Sequence, residues 1–276
     1  MPPAFYSSGS ADGGYACPVF AVAWLGEKST EVFYAGGGGA TKSGVANKVV
    51  LATVERNENA STPPSFKEIS SLLTADRICT TAHAGPIATG NVQLIVGGLC
   101  DALMFYGVTA GRELVPLSAG VVSKVDGKAI DITTVAFDRI GGRVVAVGDS
   151  KGEVRLFRIE NLESVTAALA SKTTPPPQPA VSSGKSTETA APLTLFNPAV
   201  QLSSSVKLLL GHSDSITALH FDSSGRRVCS ASKDGTCRVW DTSSGKELAL
   251  LPTTSGLPPA YAKNKMVLKQ MCRSCL

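Results

Sequence analysis

Residues 208–248, "LLLGHSDSITALHFDSSGRRVCSASKDGTCRVWDTSSGKEL", decide the fold class. Four short patterns of alternating apolar and polar residues are separated by turn residues. "ITALHF" and "RRVCSAS" read as two strands, "SSG" and "KDG" as the tight turns beside them, and "TCRVWD" as a third strand. Alternation of this period puts one face of each strand in a core. An all-β unit follows.

Gly211-His212 opens the stretch and Trp240-Asp241 closes its third strand, which resembles the WD repeat, one propeller blade of about 40 to 45 residues. The resemblance implies a buried hydrogen-bond chain through His212, Ser232 or Ser230, Asp234 and Trp240. Such a network holds strand register, a structural duty rather than a catalytic one.

A degenerate copy precedes it. "ITTVAFDRIGGRVVAVGDSKGEVRLFRIE" sets Phe137-Asp138 against Phe221-Asp222, Gly152 against Gly235 and Phe157 against Trp240, with Lys151 opposite Asp234. Phe157 and Trp240 stand 83 positions apart, and removing residues 167–205 leaves 44, one blade period. That segment contains "SKTTPPPQPAVSSGKSTETAAP", rich in Pro, Ser and Thr, and is expected to be a mobile surface loop inserted between two blades.

Upstream, "QLIVGGLCDALMFYGV" reads as the second and third strands of another blade, with "EISSL" and "RICTTAHAG" before it. "PVFAVAWLG", "TEVFYAGGGG" and "NKVVLATVE" read as three strands of a first blade. The fold class is thus an all-β WD-repeat β-propeller with four blades by Pro252, and "YAKNKMVLKQMCRSCL" resembles the opening of a fifth. Propellers of this kind usually have about seven blades, so the chain reads as a truncated or spliced product carrying a partial propeller over residues 15–276. Residues 1–14 lack a basic and apolar leader and read as a flexible lead-in.

Composition narrows the function. With 43% hydrophobic and 17% charged residues the chain is an ordinary globular sequence, and its net charge of +4 is spread without a basic run, which disfavours nucleic acid as a partner. Seven cysteines, mostly in strand-like apolar runs, read as free thiols; Cys272 and Cys275 form one CxxC, too few ligands for zinc. Residues 92–108 are very apolar but carry Asp101 and three glycines, and read as two buried strands rather than a membrane span.

One stretch calls for more than a scaffold. Residues 33–55, "FYAGGGGATKSGVANKVVLATVE", approach a phosphate-binding P-loop, but Thr41 stands where the glycine before Lys42 is required. The β-branched run after Asn47 excludes the helix that a P-loop needs. The glycines therefore form a long connection between the second and third strands of the first blade.

With a first strand of the type "VFAVAWL" followed by "AGGGGATKSGVANK", the chain resembles the prolactin regulatory element-binding protein family, WD-repeat guanine nucleotide exchange factors for the small GTPase that starts COPII coat assembly. The likeness covers residues 18–47 well and later blades loosely. It implies a non-enzymatic exchange factor on the cytosolic face of the endoplasmic reticulum, held there by a C-terminal membrane helix that this sequence does not contain. It further implies that Gly36, Gly37, Gly38, Gly39, Ala40 and Thr41 order a potassium ion through backbone oxygens, within an arch reaching to Ser43. Ser43, Gly44, Val45 and Asn47 would contact the GTPase, Val45 as the apolar group and Asn47 as the polar residue at the loop's exit. Ala46 replaces a proline frequent in relatives, and Lys42 is a further candidate contact. The alternative is a non-catalytic scaffold.

Overall fold

The computed structural model describes residues 18–26, 29–38, 45–55, 65–74, 77–121, 124–125, 128–172, 198–203 and 207–252. Within them, four antiparallel sheets of four strands follow one another in chain order. The first contains β1 (Val19–Trp24), β2 (Glu31–Gly36), β3 (Lys48–Glu55) and β4 (Ser65–Leu73); the second β5 (Thr81–Ala88), β6 (Val92–Leu99), β7 (Ala102–Val108) and β8 (Leu114–Val121). A short ribbon of β9 (Lys124–Val125) and β10 (Lys128–Ala129) precedes the third sheet, which begins with β11 (Ile132–Phe137), β12 (Val144–Asp149) and β13 (Val154–Arg158). After helix α1 (Leu162–Ser171), β14 (Lys207–Leu209) completes that sheet. The fourth holds β15 (Ile216–Phe221), β16 (Arg227–Ser232), β17 (Thr236–Asp241) and β18 (Glu247–Pro252).

These segments are strands because their β-branched and aromatic residues fit a pleated surface whose faces are both covered. β6 and β7, buried along their whole length, are the two strands expected within residues 92–108. The first strand of each sheet packs against the first strand of the next, β1 on β5, β5 on β11 and β11 on β15. Polar side chains tie these neighbours. Gln93 donates its amide protons to the Leu25 and Gly85 carbonyls (2.7 and 2.5 Å), joining sheets one and two. Thr81 Oγ1 accepts the Val135 amide proton, and Thr133 Oγ1 donates to the Ile216 carbonyl at 2.6 Å. Between the second and third sheets lies the largest apolar cluster, including Leu94, Phe105, Phe137 and Val147. Each such side chain contributes roughly 1.5–3 kcal/mol by leaving water.

Two glycines make the stacking possible. A Cβ at Gly98 would stand 2.8 Å from Ile132 Cγ2, and one at Gly148 would stand 2.6 Å from Ile216 Cγ2, so each lets the first residue of the following sheet approach. Among the described elements no comparable packing joins the fourth sheet to the first. The first sheet accordingly leaves Phe20, Val22 and Trp24 exposed on alternate positions of β1.

Three expectations change. "EISSL" belongs to β4, the outer strand of the first sheet, and does not open the second. The insertion lies within the third sheet rather than between blades, because Val154 of β13 pairs with Leu209 of β14 across it. The sequence repeat begins with a strand that hydrogen-bonds backwards, so repeat and sheet are offset by one strand. Finally, residues 167–205 are not all loop. Their first residues complete α1, whose Val165 and Leu169 are buried in the core, with Leu169 filling the space that a Cβ on Gly107 would need. Residues 198–203 are also described, Leu202 forming a bridge with Ile159, while 173–197 lie outside the described residues, as do 1–17 and 253–276 with the expected lead-in, fifth-blade opening and CxxC. No described helix is long and apolar enough to cross a membrane.

Candidate functional site

Connections between the second and third strands differ sharply among the sheets. Two residues join β6 to β7, four join β12 to β13 and three join β16 to β17, whereas eleven join β2 to β3. Only the first sheet makes a long excursion here.

Its neck is built with care. Gly36 ends β2 opposite Val19, the Gly37 amide donates to the Pro18 carbonyl at 3.1 Å, and the Gly38 amide donates to the Val45 carbonyl at 3.3 Å. Gly37 has φ +151°, and a Cβ there would fall 2.2 Å from Asn47 Oδ1 and 2.5 Å from Asn47 Cα, so only glycine fits. Asn47 is 3% exposed, and its carbonyl accepts the Thr74 amide proton at 2.9 Å. Of the residues assigned from sequence, Gly36, Gly37, Gly38, Val45 and Asn47 therefore converge at the neck, Val45 half-buried and Ala46 exposed. Gly39, Ala40, Thr41, Lys42, Ser43 and Gly44 lie outside the described residues. Asn47 is buried at the end of the connection, immediately before β3, which its polar character alone did not reveal. Potassium takes neutral oxygen donors such as backbone carbonyls; of the residues expected to supply them, Gly36, Gly37 and Gly38 are described and Gly39, Ala40 and Thr41 are not.

The fourth sheet carries the expected polar chain, and Ser230 rather than Ser232 is its serine. Trp240 Nε1–H donates to Ser230 Oγ at 2.8 Å, Ser230 Oγ stands 2.8 Å from His212 Nε2, and His212 Nδ1 stands 3.0 Å from Asp234 Oδ2. Thr236 Oγ1 and the Ser213 amide also donate to Asp234. Burial opposes ionisation of Asp234, but hydrogen bonds led by that from Thr236 outweigh it and hold the carboxyl at about 2. Burial lowers His212, which favours a neutral ring with its proton on Nδ1. The order Ser, His, Asp matches a hydrolase relay, yet Ser230 is fully buried and already takes the indole proton, so no substrate reaches it. Ser232 instead donates to the Asp214 carbonyl.

In the third sheet the place of Asp234 is taken by Lys151, and the acid sits two positions earlier. Buried Asp149 accepts the Lys151 and Glu153 amide protons at 2.9 and 3.0 Å and pairs with Arg155 at 2.8 Å. Aligning tetrad positions alone missed this substitute; Asp149 falling at the Ser232 position was the available signal.

A second concave surface opens where the first strands end. A cavity of about 730 Å3 is lined by Leu25, His83, Ile87, Arg139, Ile140 and His220 among others. Leu25 follows the end of β1, whereas Gly36 pairs with Val19 at its start, so cavity and glycine connection occupy opposite ends of the first sheet. Burial, reinforced by the Arg139 charge, pushes His83 down to about 4. His83 Nδ1 stands 3.3 Å from the Phe137 amide nitrogen and 3.1 Å from the Ala84 carbonyl oxygen, at the junction of β5 and β11. No group of three or more His, Cys, Asp or Glu among the described residues could hold a metal ion.

Comparison with known proteins agrees with this architecture. The family profile "WD domain, G-beta repeat" matches residues 203–241. Eukaryotic translation initiation factor 3 subunit I of Xenopus tropicalis and of Xenopus laevis are each 43% identical over 47 residues, 17% of this chain and 14% of theirs, so the likeness is confined to about one repeat. Sqt1 from Chaetomium thermophilum has a similar fold, with a TM-score of 0.54 at 16% identity over 88% of this chain and 50% of the Sqt1 chain. A repeat with its tetrad complete at residues 203–241, four successive four-stranded sheets and this structural likeness give the described residues a WD-type β-propeller architecture.

Proposed function

We propose that this chain is a guanine nucleotide exchange factor for the small GTPase that initiates COPII coat assembly at the endoplasmic reticulum, acting through the glycine-rich connection of its first sheet. The reading rests on the family resemblance over residues 18–47, and the observation that supports it is the eleven-residue connection whose neck accepts only glycine at position 37. Exchange requires no bond chemistry. A partner that binds the nucleotide-free GTPase more tightly than the loaded form weakens nucleotide binding by the same factor. Val45 supplies the apolar contact, with Ser43 and Gly44 beside it. Asn47, buried at the base, positions the loop. A potassium ion held by backbone oxygens of residues 36–41 would supply charge that keeps the arch ordered, and an ordered loop loses less entropy on docking. Mixing the purified chain with GTPase carrying fluorescent GDP tests this: faster release supports exchange, and an unchanged rate from folded chain rejects it.

The second reading is a scaffold without exchange activity, favoured by the cavity at the other end of the sheets, where Ile87 and Ile140 are 53% and 65% exposed beside Arg139. Retained GTPase binding with no change in GDP release would select it.

A further inference from the structure

The fourth sheet has two unlike faces. One, carrying Phe221, Val228 and Trp240, packs on the third sheet. The other carries Cys229, Ala231 and Cys237 with Ala218 and Val239, a cluster of its own that no other described sheet covers. On it, Cys229 of β16 and Cys237 of β17 bring their sulfurs to 3.1 Å. Cys229 lies opposite Val239 and Cys237 opposite Ala231, so the two thiols meet on the diagonal between adjacent strands. Both are reduced thiols, 3% and 5% exposed, and their immediate neighbours include the small side chains of Ala218 and Ala231. Closing to a disulfide bond length of about 2.05 Å requires the sulfurs to approach by roughly 1 Å, and because diagonal neighbours lie farther apart than directly opposed ones, β16 and β17 draw together as the bond forms.

We propose that Cys229 and Cys237 are an oxidative modification site, a thiol pair that a small peroxide converts to a cross-strand disulfide. One sulfur, as thiolate, attacks a peroxide oxygen, breaking the O–O bond to give a sulfenic acid and hydroxide. The second thiolate attacks that sulfur and expels hydroxide. Two thiols are oxidised, one hydrogen peroxide is reduced, and the two thiol protons leave in two waters. The bond staples the two central strands of the sheet that carries the His212–Asp234 network. Neither the WD repeat nor an exchange function needs this pair, so the proposal stands apart from both.

The test uses the whole folded chain. It is treated with hydrogen peroxide, its remaining thiols are blocked with iodoacetamide, and it is digested with trypsin without reduction. Cleavage after Lys233 separates the cysteines into peptides 228–233 and 234–238. The expected result is a linked pair of these two peptides in most molecules, resolved by dithiothreitol, with Cys237→Ser leaving Cys229 as a dimedone-reactive sulfenic acid. Recovery of both peptides alkylated after peroxide treatment overturns the proposal. So does linkage of either cysteine only to Cys100 or to a second chain. Because the linked peptides are read in the unmutated protein, the test remains decisive even where the variant fails to fold.

Discussion

Ser230 Oγ stands 2.8 Å from both Trp240 Nε1 and His212 Nε2, so one fully buried hydroxyl joins β16, β17 and the segment that enters β15. Ser230→Ala strands an indole donor and an imidazole nitrogen at once, and stability falls by roughly 2–4 kcal/mol. Trp240→Phe removes the donor but leaves Ser230 its histidine, and the loss of that hydrogen bond is smaller, about 1 kcal/mol before any packing change. Urea unfolding of both variants checks the order. A smaller loss for Ser230→Ala than for Trp240→Phe contradicts the assignment.

The third sheet holds its turn with a buried ion pair. Asp149→Ala removes the buried carboxylate that pairs with Arg155, and two backbone amides lose their acceptor. The expected cost is about 3–5 kcal/mol, and Asp149→Asn recovers part of it by accepting one amide proton. A surface-like loss below about 0.5 kcal/mol in thermal and urea unfolding contradicts this role.

Stability falls with acid through His83. Its native pKa is near 4 against 6.5 for the free side chain, because burial first, and then the charges of Arg139 and His220, disfavour the imidazolium. A depressed native pKa means the unfolded chain binds the proton first. Stability is therefore intact above pH 6.5 and declines to about pH 4, by at most about 3 kcal/mol from this group. His83→Gln flattens that decline, leaving the smaller same-signed contribution of His212. An equal slope in the variant and the parent between pH 7 and 4.5 rules the assignment out.

Potassium offers an independent handle on the glycine arch. Under the proposed mechanism, replacing K+ by Li+ at constant ionic strength lowers the exchange rate while the urea midpoint stays put, because the proposed ion would order a loop rather than a core. Equal exchange rates in the two salts remove the ion from the mechanism.

Much of this architecture was legible in residues alone, and the rest was hidden for identifiable reasons. The tight turns at "SSG" and "KDG", the His212 and Trp240 anchors and the alternation of β15 to β17 gave the fourth sheet directly. Outer strands were harder: Ser65–Leu73 and Lys207–Leu209 are short or half-exposed, and local pattern does not say with which sheet an edge strand pairs. Alternation puts Ser230 and Ser232 on the same face of β16 and both are fully buried, so periodicity could not choose between them; their hydrogen-bond partners do. At the candidate site the length of the connection was plain, but burial of Asn47 was not. It depends on β4 bringing Thr74 to its carbonyl, a contact between residues far apart in the chain.

The decisive measurement is release of fluorescent GDP from the GTPase with the parent chain and with Val45→Asp, each checked by urea unfolding. Parent chain accelerates release, and Val45→Asp restores the intrinsic rate with an unchanged unfolding midpoint, because the charge lands on the half-buried shoulder of the loop and spares the Gly38–Val45 backbone bond. If the variant releases GDP as fast as the parent, or neither speeds it at all, the glycine connection is not the working part of this protein.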